Sequence, residues 1–239
     1  MAARKEVKLA AFDIDGTIFR SHLFIELIRA FVREGVFPKT AQKEVEIEYT
    51  AWLNRTGSFV DYNNKLIEIY LRYIKNKTYA SVFNVAKKVV AIYKDRDYVY
   101  TRNLIKDLKK KGYYILAISG SPNFIVKQYA DYKGFDTYYG TVLEVQKGKF
   151  TGRIFSEDTY LNKDKVLEDF ISWSKLPVNL SKSIGVGDTE SDIPMLKLVG
   201  QPIAFNPNRA LADYAKTHGW PIVVERKDVI YELKNYIFK

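Results

Sequence analysis

The stretch Val7-Lys8-Leu9-Ala10-Ala11-Phe12-Asp13-Ile14-Asp15-Gly16-Thr17 decides how this chain folds. Its mainly apolar run from Val7 to Phe12 reads as a strand buried on both faces, the kind that parallel sheets use. The run then breaks into two aspartates and a glycine, which places carboxylates at the strand's carboxyl end, the edge where open α/β sheets bind ligands. Much later the same design returns in Ser183-Ile184-Gly185-Val186-Gly187-Asp188-Thr189-Glu190-Ser191-Asp192, a short apolar strand followed by acids. Carboxylates gathered at neighbouring strand ends repel one another and rise in pKa unless a cation lies among them. The expected cation is Mg²⁺, a hard ion that takes oxygen ligands and keeps some waters for a phosphate to displace.

Between these two stretches the texture changes. Residues 22–94 read as helical: His22 to Glu34 carries Leu23, Leu27, Ile28 and Phe31 at helical spacing and closes at Gly35 and Pro38. Thr40 to Leu53, Val60 to Ile74 and Ala80 to Tyr93 follow in the same pattern. After Tyr98 helices and strands alternate. A helix runs through Leu104 and Leu108, a strand over Tyr113 to Ile118, and a helix from Pro122 to Tyr132. Short strands fill Phe135 to Phe155, with turns at Gly140 and Lys147-Gly148-Lys149. A helix over Lys165 to Trp173, the strand at Ser183 to Val186, a helix over Ile193 to Val199 and a strand over Pro202 to Phe205 come next. Asn208 to Thr217 is helical, Pro221 to Val224 extended, and a terminal helix is expected through Ile230, Leu233 and Ile237. Such alternation predicts an α/β fold: a doubly wound parallel sheet formed by 1–18 and 98–239, with a helical cap, 19–97, inserted after the first strand.

Composition narrows the function. Hydrophobic residues make up 47% and charged residues 28%, an ordinary globular balance. No apolar run approaches the roughly 18 residues of a membrane span, so a soluble, cytoplasmic protein is expected, without a membrane partner. The absence of cysteine excludes thiolate metal sites, and two histidines argue against a histidine-rich one. The net charge of +10 favours an anionic partner. Its scatter matches no nucleic-acid module, so a nucleic acid is not the expected partner, and charge alone does not specify the anion.

Four places carry candidate chemistry. Asp13 at a strand tip is suited to attack phosphorus, and Asp15, two residues on and on the same side of an extended backbone, to protonate a leaving oxygen and then activate water. Gly16 permits a sharp turn that Thr17 braces. Ser119, at the end of Ile115-Leu116-Ala117-Ile118, forms with Gly120 and the next helix start a cradle for phosphate, while Ser121 and Pro122 read as N-cap and first helical residue. In Asn162-Lys163-Asp164-Lys165 one lysine must face inward to neutralise a phosphoryl group, with Lys165 the candidate and Lys163 its rival. Asp188 and Asp192, four apart on a turn into a helix, are expected to share one ion as direct and supporting partners.

Taken together, Asp13-x-Asp15-Gly16-Thr17, Ser119, Lys165 and Gly187-Asp188-x-x-x-Asp192 resemble the four motifs of the haloacid dehalogenase superfamily, in order. The helical insertion resembles a type-1 cap, and Asn206-Pro207 through Gly219-Trp220-Pro221-Ile222 resembles the phosphoserine-phosphatase-like branch. That resemblance implies a Rossmann-like core and Mg²⁺-dependent hydrolysis of a phosphomonoester through an aspartyl-phosphate. Asp13 would be the nucleophile, Asp15 the acid/base, and Thr17, Ser119, Gly120 and Lys165 the phosphate-binding group. Asp13, Asp15 and Asp188 would hold the metal, the middle one through its carbonyl, with Asp192 in support. One position departs from the branch: where a glutamate would meet a substrate amine, seven residues after Asp15, this chain has His22. Free phosphoserine is therefore not the expected substrate. A non-catalytic phosphate-binding or phospho-accepting signalling module is the alternative reading.

Overall fold

A computed structural model describes residues 6–56, 59–156, 159 and 162–233. Across its single sheet the strands lie in the order Lys149–Ser156 (β4), Thr137–Gln146 (β3), Tyr114–Pro122 (β2), Leu9–Phe12 (β1), Ile184–Gly187 (β5), Gln201–Phe205 (β6), Ile222–Arg226 (β7) and Val229–Leu233 (β8). β1 takes a parallel partner on each side, Ala10 standing opposite Ile115 of β2 and Ile184 of β5. Among the described strands only the outer pairs, β3 with β4 and β7 with β8, are antiparallel. From β1 the chain builds outward to β2 and β3, then crosses to β5, β6 and β7. The carboxyl ends of β1 and β5 thus flank the switch point at which such sheets bind ligands.

Side-chain alternation along β1 supplies both halves of the core. Ala10 and Phe12 face one side, with Ile115, Ala117, Val186 and Phe205. Leu9 and Ala11 face the other, with Leu116 and Ile118. Asn123–Lys133 (the sixth helix, α6) covers the first face through Phe124, Ile125 and Tyr129. The second face is covered by Lys163–Ser174 (α7), Ile193–Leu198 (α8) and Arg209–His218 (α9), through Val166, Leu167, Phe170, Met195, Leu196 and Leu211. Val99–Lys110 (α5) precedes β2 and anchors the loop after β1, because the buried Thr101 hydroxyl donates to the Thr17 carbonyl at 2.9 Å.

Among the described residues four helices lie between β1 and α5: Leu23–Arg33 (α1), Lys39–Leu53 (α2), Phe59–Ile74 (α3) and Tyr79–Tyr93 (α4). Their apolar faces merge with the first-face core, and edge-on or tilted ring pairs such as Phe24–Tyr70 and Phe31–Phe37, both with centroids 4.8 Å apart, fill the space between them. Each such pair contributes about 0.5–1.5 kcal/mol beyond its buried area. The chain leaves for these helices and returns from them through two adjacent extended segments. Phe19 bridges Asp97, Arg20 N–H donates to the Arg96 carbonyl (2.8 Å), and Tyr98 N–H donates to the Ile18 carbonyl (2.9 Å). The β3–β4 hairpin rises toward α3, so closely at Gly152 that a β-carbon there would lie 2.8 Å from the Leu71 carbonyl oxygen. Among the described residues no helix is long and apolar enough to cross a membrane.

Three local expectations are corrected. The turn expected at Gly140 is the middle of β3, where the glycine is needed for packing: a β-carbon would lie 2.7 Å from the Asn123 Cα at the start of α6. The first strand after α5 runs on past Ile118 to Pro122, and Pro122, not Ser121, caps α6. The expected terminal helix is instead β8 as far as Leu233, paired with β7 around Lys227, whose φ of 57° makes the turn. Ile237 lies outside the described residues.

Candidate active site

Asp13 continues the β1 ladder by one bond, its N–H donating to the Val186 carbonyl at 3.0 Å, and its side chain is buried. The backbone then folds back on itself, with Ile18 and Phe19 N–H both donating to the Ile14 carbonyl (2.9 and 2.8 Å). Gly16 makes the reversal at φ 84°, and a β-carbon there would lie 2.1 Å from Asp188 Oδ2. Only glycine satisfies both demands. The turn therefore presses the first acidic stretch against the second, and the Thr17 hydroxyl donates to Asp188 Oδ1 at 3.1 Å.

Asp15 points across to β2. Its Oδ2 accepts from Ser119 Oγ (3.0 Å) and Ser121 Oγ (2.6 Å), and its Oδ1 accepts from Leu23 N–H (2.5 Å) at the start of α1. α1 has no capping side chain of its own, so Asp15 satisfies one of its free amides from outside. Ser119 and Ser121 share a face because two residues on a strand do. Ser121, expected to be a helix cap, instead holds Asp15. The signal for it was present in the sequence, since it stands two residues from Ser119. The Gly120 carbonyl accepts from Thr141 Oγ1 at 2.7 Å, tying β3 to this corner.

The lysine that enters the site is Lys163, not Lys165. Lys163 opens α7 and is buried, and its Nζ donates to Asp13 Oδ1 and to Asp192 Oδ1, each at 2.6 Å. Lys165 stands on the exposed side of the same helix. Two residues turn a helix by about 200°, so the two lysines cannot share a face. The periodicity does distinguish them, because Lys163 lies at i with the buried Val166, Leu167 and Phe170 at i+3, i+4 and i+7.

Asp192 is fully engaged. Besides Lys163 it accepts from the Asp188 and Thr189 amides (both 3.0 Å) through Oδ2, which fixes the loop that carries Asp188. Gly187 is obligatory beneath it, since a β-carbon would lie 2.4 Å from the Asp192 side chain. This engagement makes Asp192 a holder of Lys163 and of the loop; the Asp15 carboxylate is likewise occupied, by two serines and the Leu23 amide. The acidic side chains left for an ion are those of Asp13 and Asp188.

The electrostatics suit a cation there. Burial, opposed by Lys163 and assisted by Asp192 and Asp15, pushes the Asp13 carboxyl up to about 7. Burial and then the Asp13 and Asp192 charges push Asp188 well above the carboxylate range. Lys163 is drawn down by burial but held above its usual value by Asp13 and Asp192. Asp13 Oδ2 is buried without a hydrogen-bond partner. Among the described residues no three acidic or histidine side chains form a complete metal cluster by themselves. Two carboxylates are an incomplete set of hard oxygen donors, as Mg²⁺ uses when it keeps waters or a phosphate as its other ligands. The residues present fit the ion.

Above these groups lies a cavity of about 280 Å³. Its floor is Asp13, Asp15, Ser121, Lys163 and Asp188, and its roof comes from α1 and α3. His22 stands on the wall, and burial lowers its pKa against the pull of Asp15. Glu26 takes no part: it is buried and paired with Arg96 (3.1 Å) and Arg29 (3.4 Å). Arg72 is held by Glu44 at 3.0 Å.

The family model for haloacid dehalogenase-like hydrolases matches residues 10–197, from β1 to α8. The chain belongs to the haloacid dehalogenase-like hydrolase family. It is 27% identical over 236 residues to the phosphoserine phosphatase of Methanocaldococcus jannaschii, a match covering 98% of this chain and 99% of that one. In architecture it is similar to a protein of unknown function from Bordetella pertussis Tohama I (TM-score 0.75, 19% identity, 91% of this chain and 98% of that one). It is also similar to a phosphoserine phosphatase solved as a phospho-aspartyl intermediate analogue (TM-score 0.62, 24% identity, 94% and 96%). This family member is thus an enzyme of the phosphatase group, with a fold shared by phosphoserine phosphatases.

Proposed function

We propose that this hydrolase cleaves small phosphomonoesters through an aspartyl-phosphate on Asp13, with Mg²⁺ held by Asp13, Asp188 and the Asp15 carbonyl. The observation that carries this reading is the state of the Asp13 carboxylate. Asp13 lines the cavity; its Oδ1 is fixed by Lys163, while its Oδ2 is buried without a hydrogen-bond partner. A carboxylate held by one oxygen presents the other as a nucleophile.

In the first step Asp13 Oδ2 forms a bond to phosphorus as the bond to the leaving oxygen breaks, and Asp15 gives that oxygen a proton. In the second, Asp15 takes a proton from water as the water attacks phosphorus, releasing phosphate and regenerating Asp13. Ser119 and Ser121 orient the Asp15 carboxyl for both transfers. Lys163 places positive charge beside the oxygens of the transferring group. When bound, Mg²⁺ adds the charge that lets a phosphate dianion approach two carboxylates.

The test is Asp13→Asn with p-nitrophenyl phosphate and Mg²⁺. Loss of phosphate release by about 1,000-fold or more is expected, because the nucleophile is removed. Wild-type turnover in the variant would overturn the assignment. Stable phosphorylation of the wild-type chain without release would favour the signalling reading instead.

A further inference from the structure

The cavity changes character with height, and this points to the organic part of the substrate. Resting on the phosphomonoester reading above, we propose that the leaving group is an uncharged, mainly apolar alcohol carrying a neutral hydrogen-bond acceptor, and not an amino acid. All the carboxylates and the lysine that line the cavity belong to the floor: Asp13, Asp15, Lys163 and Asp188. Above them α1 contributes Phe24 and Ile25, α3 contributes Leu66, Ile67 and Leu71, and the β3–β4 hairpin contributes Leu143 and Ile154. Among the described residues this upper wall has no aspartate, glutamate, lysine or arginine.

The acids and bases nearest in sequence are committed elsewhere. Glu26, one turn along α1 from His22, is neutralised by Arg96 and Arg29. Arg72, on α3, reaches Glu44 and Glu68. An ammonium and a carboxylate entering this wall would lose their water and meet no counter-charge, which burial penalises heavily. An alkyl or aromatic body would instead remove its own surface and that of the wall from water.

The lining also carries the polar side chains of His22, Tyr62, Asn63, Asn64 and Tyr70. Tyr70 is 2% exposed, and its hydroxyl is a buried donor without a hydrogen-bond partner. Phe24 packs edge-on against its ring and holds it in place. A buried tyrosine hydroxyl ordinarily finds a partner. A neutral acceptor on the substrate, such as an ether, a carbonyl or a second hydroxyl, would be that partner. The mainly apolar wall, its lack of charged side chains and the Tyr70 donor together describe an amphipathic alcohol.

The comparison that tests this uses alkyl phosphates, so that leaving-group chemistry stays similar: 2-phenylethyl phosphate, 2-phenoxyethyl phosphate and O-phospho-L-serine, each assayed by phosphate release with Mg²⁺. Both apolar esters should exceed phosphoserine in kcat/KM by about 100-fold, within the range that fitted apolar contacts confer. Tyr70→Phe should lower kcat/KM for the phenoxy ester by about tenfold while leaving the phenyl ester nearly unchanged, since only the ether meets the hydroxyl. Ile67→Glu, at a half-buried wall position, should raise KM for both apolar esters with kcat nearly preserved, and thermal melting checks that the variant is folded. Preference for phosphoserine would overturn this inference while sustaining the phosphatase reading. Failure to hydrolyse any of the three esters or p-nitrophenyl phosphate would overturn the phosphatase reading itself.

Discussion

Replacing Lys163 by methionine keeps the aliphatic stem and removes one charge, and the surroundings of that charge set the outcome. Its Nζ bridges Asp13 and Asp192 at 2.6 Å each, with both carboxylates buried. Removing one partner of a buried ionic group costs roughly 3–5 kcal/mol, because the other charges stay buried and uncompensated. For a chain of this size about 1 kcal/mol corresponds to roughly 2–4 °C, so the melting temperature should fall by about 6–20 °C at pH 7.5 in EDTA. The loss should depend on pH with a definite sign. Asp13 already stands at about 7 in the folded protein, and Lys163 is a factor that holds it down. Without the lysine it rises further above its unfolded value near 3.9. An acid whose folded pKa is raised favours folding most below its unfolded pKa and loses that advantage as pH climbs through the folded one. Below pH 7 wild type and variant both carry the proton. Above it the wild type has released the proton and the variant has not, so the deficit widens by up to about 1.4 kcal/mol per pH unit. Circular-dichroism melts at pH 6.5 and 8.5 measure it. Phosphate release should drop about 100–1,000-fold, as when one preorganised charge is removed from a transition state. Lys165→Met, at an exposed position, should change stability by no more than about 0.5 kcal/mol and leave activity intact. A deficit independent of pH, or a loss of activity in Lys165→Met with retention in Lys163→Met, would refute this reasoning.

Other outcomes follow from the same geometry. Mg²⁺ at about 100 times its Kd should stabilise the protein by about 2.7 kcal/mol at pH 8. At pH 5.5 the effect should be much smaller, since Asp13 and Asp188 must shed their raised protons to bind the ion; melts with Mg²⁺ and with EDTA measure the difference. Gly16→Ala, with φ at 84° and a new β-carbon 2.1 Å from Asp188 Oδ2, should displace Asp188 and lower kcat by about 100-fold while far-UV circular dichroism stays native. Ser121→Ala removes the 2.6 Å donor to Asp15 and should lower kcat about tenfold or more, a hydrogen bond to a charged group contributing roughly 1.5–3 kcal/mol; steady-state kinetics will show it with KM little changed.

Helices α1 to α4 were legible within one residue or so at their ends because each carries its own apolar periodicity, stop signals and turn residues. Elements whose conformation depends on a distant partner were not. The segment Val229–Leu233 is compatible with either period when read alone, and pairing with β7 makes it a strand. Gly140 reads as a turn until the start of α6 is seen to approach it. At the site, Ser121 was assigned to the wrong neighbour because Ser-Pro locally resembles a helix start, whereas β2 extends through it to present two hydroxyls to Asp15.

By itself the sequence determined the parallel sheet, the inserted helices and the aspartates at two strand ends. Those features depend on residues within a few positions of one another, where strand and helix periods act directly. Tertiary structure alone decided that Asp192 holds a lysine and a loop, that Asp15 turns its carboxylate to β2, and that the cavity's upper wall is mainly apolar and without charged side chains. That wall is assembled from α1, α3 and the β3–β4 hairpin, segments far apart in the chain. Its chemistry exists only once the helices have settled on the sheet, because burying their apolar faces is what brings those side chains together.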